Sequence, residues 1–140
     1  MRNDLRALNA VFFAAVVSSV VHYTDNYLAF DEFPNGGPGP AITEDAIWIA
    51  WLVFTAFGVA GYVLYRRGAT VPAAALLAVY SLSGLIGVGH YTAPGMSELA
   101  WWRHVHIGVD IACGAAVLAF AIWRVHTARR HGSGAILRKS

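Results

Sequence analysis

The chain has 140 residues, of which 57% are hydrophobic and 13% charged, with a formal net charge of +2. Typical soluble domains carry about 25% charged residues, and the mean hydropathy here is +0.52, so the chain reads as a single-domain integral membrane protein. One cysteine, Cys113, lies inside an apolar segment, which excludes a disulfide framework and a cysteine-based metal motif. The basic residues flank apolar stretches, so nothing points to a nucleic acid.

The pattern predicts an all-α fold, a four-helix transmembrane bundle over residues 1–130 with spans at about 5–30, 46–65, 71–91 and 98–123, followed by a basic tail at 131–140. The first segment is continuously apolar from Ala10 to Val21 and broken only by Ser18 and Ser19. It reaches the roughly 20 residues that a bilayer requires only if His22 and Asp25 lie within the span or at its edge. Arg2 and Arg6 before an apolar run also suit a secretory signal peptide, but no small-x-small cleavage site follows.

The connector Asp31 to Thr43 holds Pro34, Asn35-Gly36-Gly37 and Pro38-Gly39-Pro40, a composition set against regular structure. Thr43 is the expected N-cap of the second segment, with Glu44 and Asp45 in its first turn. Trp48 and Trp51 at its start, and Tyr62 and Tyr65 at its end, suit the two interfacial belts. Thr70 is the expected cap of the third segment, with Pro72 in its first turn, and Ser97 that of the fourth. From Arg124 onward the sequence reads as an extension that frays.

Charge predicts the topology. Arg2, Arg6, Arg66, Arg67, Arg124, Arg129, Arg130, Arg138 and Lys139 fall at the termini and the middle loop. The positive-inside rule places these in the cytoplasm, as expected of a prokaryotic plasma-membrane protein. Asp31, Glu32, Glu44, Asp45 and Glu98 then lie on the outer side, where Arg103 is the one basic residue. His22-Tyr23-Thr24 and His90-Tyr91-Thr92 close the first and third segments and hint at two duplicated helical hairpins.

The intramembrane histidines and acids gather at the outer helix ends. At about 1.5 Å per residue, Asp25 and His106 both lie roughly 7 Å below the interface, and His22 and Asp110 both roughly 12 Å. His22 and Asp25 share a face of one helix, and His106 and Asp110 a face of another. Two imidazoles and two carboxylates on facing helices form a candidate site for a divalent transition metal: Zn, Fe, Mn or Cu. His22, Asp25, His106 and Asp110 are the candidate ligands. His90 is a candidate further ligand or gate, and Tyr23, Asn26 and Tyr91 candidate hydrogen-bonding partners for the bound group.

The bland reading is a structural network in which Asp110 bonds His22 or Tyr80 and locks helix packing. His104 lies about 200° around the helix from His106 and is expected to face headgroups or another helix. The hydroxyls of Ser18, Ser19, Tyr80, Ser81 and Ser83 are expected to bond nearby carbonyls. Small-residue rows at Gly108/Ala112/Ala116, Ser83/Gly87 and Ala56/Ala60 predict close helix approach.

Four functional classes stay open. The first is a non-haem metalloprotein, an oxidoreductase or hydrolase. The second is a b-type haem electron carrier with His22/His106 or His90/His104 as axial pair. The third is a metal-free binding or isomerising pocket for a lipid-like small molecule reaching the site from the outer side. The fourth is a non-catalytic accessory subunit, homo-oligomeric or within a membrane complex.

Overall fold

The computed structural model describes residues 2–34 and 42–136, with side chains over 3–34 and 42–130. The proline and glycine run at 35–40, the tail residues Arg138 and Lys139, and the side chains of Arg2 and His131 lie outside that set.

Among the described residues the structure is all-helical. Four helices are α1 (Arg2–Leu28), α2 (Glu44–Arg66), α3 (Thr70–Leu85) and α4 (Trp101–Ile136). With the 3₁₀ continuation of α3 through Thr92, each is long and apolar enough to cross a membrane. A helix pairs its own backbone groups, which is what hydrocarbon demands of a span. Successive helices pack as neighbours and α4 closes on α1. The bundle therefore has a terminal end, where α1 starts and α4 finishes, and a site end, where the histidines lie.

Local chemistry sets the boundaries. The Thr43 hydroxyl accepts the Ala46 N–H at 3.3 Å, the expected N-cap. At the other end of α2 the Ala69 N–H bonds the Leu64 carbonyl and the Gly68 N–H that of Tyr65, with Gly68 at φ +83°. Only glycine adopts that left-handed conformation freely, so the α2–α3 turn depends on it.

Several expected boundaries shift. Thr70 is already helical and Ala69 takes the cap position, because the tight turn after Gly68 leads straight into α3. From Ile86 to Thr92 the backbone tightens into a 3₁₀ helix, where Gly87 and Gly89 weaken the α-helical preference. Ser97 is not the cap of α4: it lies in a short 3₁₀ turn, Met96–Glu98, and α4 begins at Trp101. The connector after α1 opens with a 3₁₀ turn, Phe30–Glu32. The backbone beyond Arg124 stays helical to Ile136.

Helices apolar enough to cross a membrane associate mainly through close packing. The tightest contact joins α3 to α4. A Cβ at Gly84 would collide with the Asp110 carbonyl oxygen, and one at Gly114 would come within 2.7 Å of the Ser81 carbonyl oxygen. On α2 the buried glycines are Gly58, against Tyr80 and Phe12, and Gly61, against Leu77. The small-residue rows on α2 and α4 face outward instead: Ala56, Ala60, Gly108, Ala112 and Ala116 are exposed. Spacing alone gave the right kind of residue and the wrong face.

Toward the terminal end, Leu8, Phe12, Leu77, Val117 and Phe120 form an apolar core. A smaller apolar group, Phe33, Met96, Leu99 and Ile107, lies at the site end. The first of these seals the half of the bundle opposite the histidines.

Candidate functional site

Three imidazoles meet between α1, the 3₁₀ continuation of α3, and α4. His22 is at the centre, with ring centroids 5.4 Å from both His90 and His106, each contact edge to face. His22 is 3% exposed. His90, the candidate further ligand or gate, is half-buried in this cluster because the 3₁₀ stretch turns it inward against His22 and Phe33. The two His-Tyr-Thr motifs thus bring their histidines together, although one lies in an α-helix and the other in a 3₁₀ helix.

Each of the two deeper rings is oriented through Nε2. His106 Nε2 donates to Asp25 Oδ2 at 2.9 Å. His22 Nε2 lies 2.9 Å from the Asn26 amide nitrogen. The remaining nitrogens, Nδ1 of His22 and Nδ1 of His106, are buried without a hydrogen-bond partner. Buried polar atoms are rarely left so, and each such group calls for an explanation.

Asp25 is shared. Its Oδ2 also lies 3.2 Å from Arg103 Nε, and Arg103 Nη1 reaches Glu32 at 2.8 Å. The guanidinium is 5.2 Å from the Phe33 ring centroid and 5.0 Å from that of Trp102. This accounts for the one basic residue at the acidic end: Arg103 holds the carboxylate that orients His106. An open polar pocket of about 730 Å³, lined by Asp31, Glu32, Glu98 and Arg103 among others, adjoins it.

Asp110 is apart from this group. It lies one turn further along α4 than His106, is 1% exposed, and faces the Ser18 hydroxyl with Tyr23 and Tyr80 nearby. The structure therefore brings Asp25 to His106 and leaves Asp110 at a separate, deeper level. Tyr23 does not touch the histidine nitrogens: its hydroxyl donates to the Ser83 carbonyl at 3.0 Å and ties α1 to α3. Tyr91 is 47% exposed and stacks on His104, which takes both out of the cluster. Ser19 and Ser81 bond carbonyls three residues back, as expected. Trp51 turns toward α1 and donates to Ser19 at 3.2 Å, which ties α2 to α1.

Glu32 and Phe33 were not singled out in the sequence. A signal for Glu32 existed: a lone arginine among five acids at one end must pair with some of them. Which one depends on the 3₁₀ turn at Phe30–Glu32, which composition did not announce.

Among the described residues, no group of three or more His, Cys, Asp or Glu side chains is placed to hold a metal ion. Comparison with family models, curated proteins and solved structures yields no match.

Proposed function

We propose that the chain is an integral membrane protein whose His22, His90 and His106 bind a divalent transition metal near the extracytoplasmic face, with both termini in the cytoplasm. The observation that carries this reading is the pair of buried, partnerless Nδ1 atoms on facing helices. In a neutral imidazole whose Nε2 donates to a carboxylate, Nδ1 carries the lone pair. His106 meets that condition through Asp25. A half-turn of the Asn26 amide, which leaves its shape unchanged, presents its oxygen to His22 Nε2 and gives His22 the same tautomer.

Metal-bound histidines ordinarily donate their other nitrogen to a carboxylate or carbonyl oxygen. Asp25 and Asn26 are placed for that role and are not ligands in this reading. Loading requires the rings to pivot about their Nε2 contacts until the Nδ1 atoms and His90 converge. Three imidazoles leave a coordination position for water or substrate, the arrangement of a catalytic site.

This differs from a ligand set of His22, Asp25, His106 and Asp110. Arg103 beside Asp25 opposes a second cation on that carboxylate, and Asp110 faces Ser18. Of the two haem pairs, His90/His104 is the weaker, because His104 stacks on Tyr91 outside the cluster.

The test is metal analysis by mass spectrometry, with a visible spectrum, on detergent-purified protein never exposed to chelator. About one Zn, Fe, Mn or Cu per chain without a Soret band is expected, lost in His22→Ala and His106→Ala and retained in His104→Ala. Metal-free protein without a chromophore would overturn the reading in favour of a proton-transfer pocket or a structural network.

A further inference from the structure

One turn beyond the histidines, the bundle encloses a second polar site. Three buried side-chain oxygens there have no hydrogen-bond partner: Ser18 Oγ on α1, Tyr80 Oη on α3 and Asp110 Oδ2 on α4. Tyr80 and Asp110 are each 1% exposed and Ser18 is 9% exposed. The Asp110 carboxyl faces the Ser18 hydroxyl, with the Tyr80 ring beside it.

Ser18 Oγ approaches Asp110 and Cys113, and Tyr80 Oη approaches Ser19, yet none of the three oxygens closes a hydrogen bond of the kind that joins Tyr23 to Ser83 and Trp51 to Ser19. A carboxyl in a membrane interior is neutralised by a cation or by a proton. No lysine or arginine occurs between Leu8 and Leu28, Glu44 and Tyr65, Thr70 and Leu85, or His104 and Trp123. Arg103, two turns away on α4, is held by Asp25 and Glu32.

We infer that Asp110, Ser18 and Tyr80 form a small-cation site within the bundle, occupied by sodium with water completing its shell. Every donor is a hard oxygen, the type that alkali and alkaline-earth ions prefer over transition metals. One carboxylate balances one positive charge, which suits a monovalent ion. Gly84 and Gly114, lacking side chains, bring the α3 and α4 backbones together at this level. The site is separate from the histidine cluster and does not depend on the transition-metal reading.

The experiment is thermal unfolding of the detergent-purified protein in sodium, potassium or choline chloride at equal ionic strength. Ligand binding to the folded state raises its midpoint. At a sodium concentration about tenfold above the dissociation constant, a rise of about 4 °C over choline is expected, with a smaller rise in potassium. Asp110→Asn should abolish the sodium response and His22→Ala should keep it. Should Asp110→Asn fail to fold, Ser18→Ala and Tyr80→Phe are read instead, each shifting the sodium midpoint to at least about threefold higher concentration. The proposal is overturned if sodium and choline give the same midpoint in the unmodified protein, or if the response survives in Asp110→Asn. It is equally overturned if Ser18→Ala and Tyr80→Phe both leave the midpoint unmoved, or if stability follows pH and ignores sodium, which would make the partner of Asp110 a proton.

Discussion

The two ends of the α1–α4 pair carry the same device, put to different use. At the terminal end Arg124 pairs with Asp4 at 2.9 Å and stacks near Tyr65 and Trp123. At the site end Arg103 pairs with Asp25 at 3.2 Å and stacks near Phe33 and Trp102. The carboxylates are 21 residues apart on α1 and the arginines 21 apart on α4. At about 1.5 Å per residue that is about 31 Å, the thickness of a bilayer's hydrocarbon core. The two staples are therefore spaced by the length of one membrane span.

Their difference lies in what each carboxylate also holds. The Arg124 staple sits beside an apolar core and holds the helix ends together. The Arg103 staple shares its carboxylate with His106 and through it orients a cluster of three imidazoles. One arginine clamps and the other clamps and positions, and the contrast identifies the polar groups that packing does not require.

The largest expected effect falls on the scaffold that both ends share. Gly84→Ala drives a Cβ into the Asp110 backbone and should cost about 2–3 kcal/mol of unfolding free energy. Gly108→Ala, with nothing within 4 Å of the added carbon, should cost nothing. Unfolding in detergent measures both, and a loss at Gly108 would show that its row packs inside the bundle.

Next come the staples. Breaking an enclosed ion pair by removing one partner costs about 3–5 kcal/mol. Arg103 and Asp25 side chains are 8% and 15% exposed, but Arg103 lines an open pocket, so Arg103→Met should cost about 2 kcal/mol. Arg124→Met should cost about 1 kcal/mol, because Arg124 and Asp4 are more exposed, at 17% and 20%. Only Arg103→Met should also lower metal affinity. If both variants lower it equally, the ends are not specialised. The smallest effect belongs to Glu32→Gln. Glu32 is 67% exposed, and its loss should change stability by less than about 1 kcal/mol.

The fold was legible because four apolar stretches of spanning length, broken by Pro and Gly, have few solutions other than four helices. Thr43 could be read as a cap because an N-cap is local chemistry. Ser97 and Thr70 could not be excluded, since the 3₁₀ turn at Met96–Glu98 and the turn at Gly68 depend on how neighbouring segments meet. At the site, counting residues from the interfaces set Asp25 level with His106. It could not show His90 turning inward, because that depends on the 3₁₀ tightening after Leu85. Nor could it reveal that Asp110 stands apart. Depth is one-dimensional, and which face of α4 meets α1 is settled by Gly84 and Gly114, whose role appears only once α3 and α4 are docked.

The most direct test of the histidine cluster is X-ray absorption at the zinc edge of protein loaded with one equivalent of zinc. The account predicts nitrogen and oxygen neighbours at about 2.0–2.1 Å with the outer scattering pattern of three imidazoles, reduced to two in His90→Ala. A sulfur neighbour at about 2.3 Å, or a shell without imidazole scattering, would place the metal elsewhere and contradict the account.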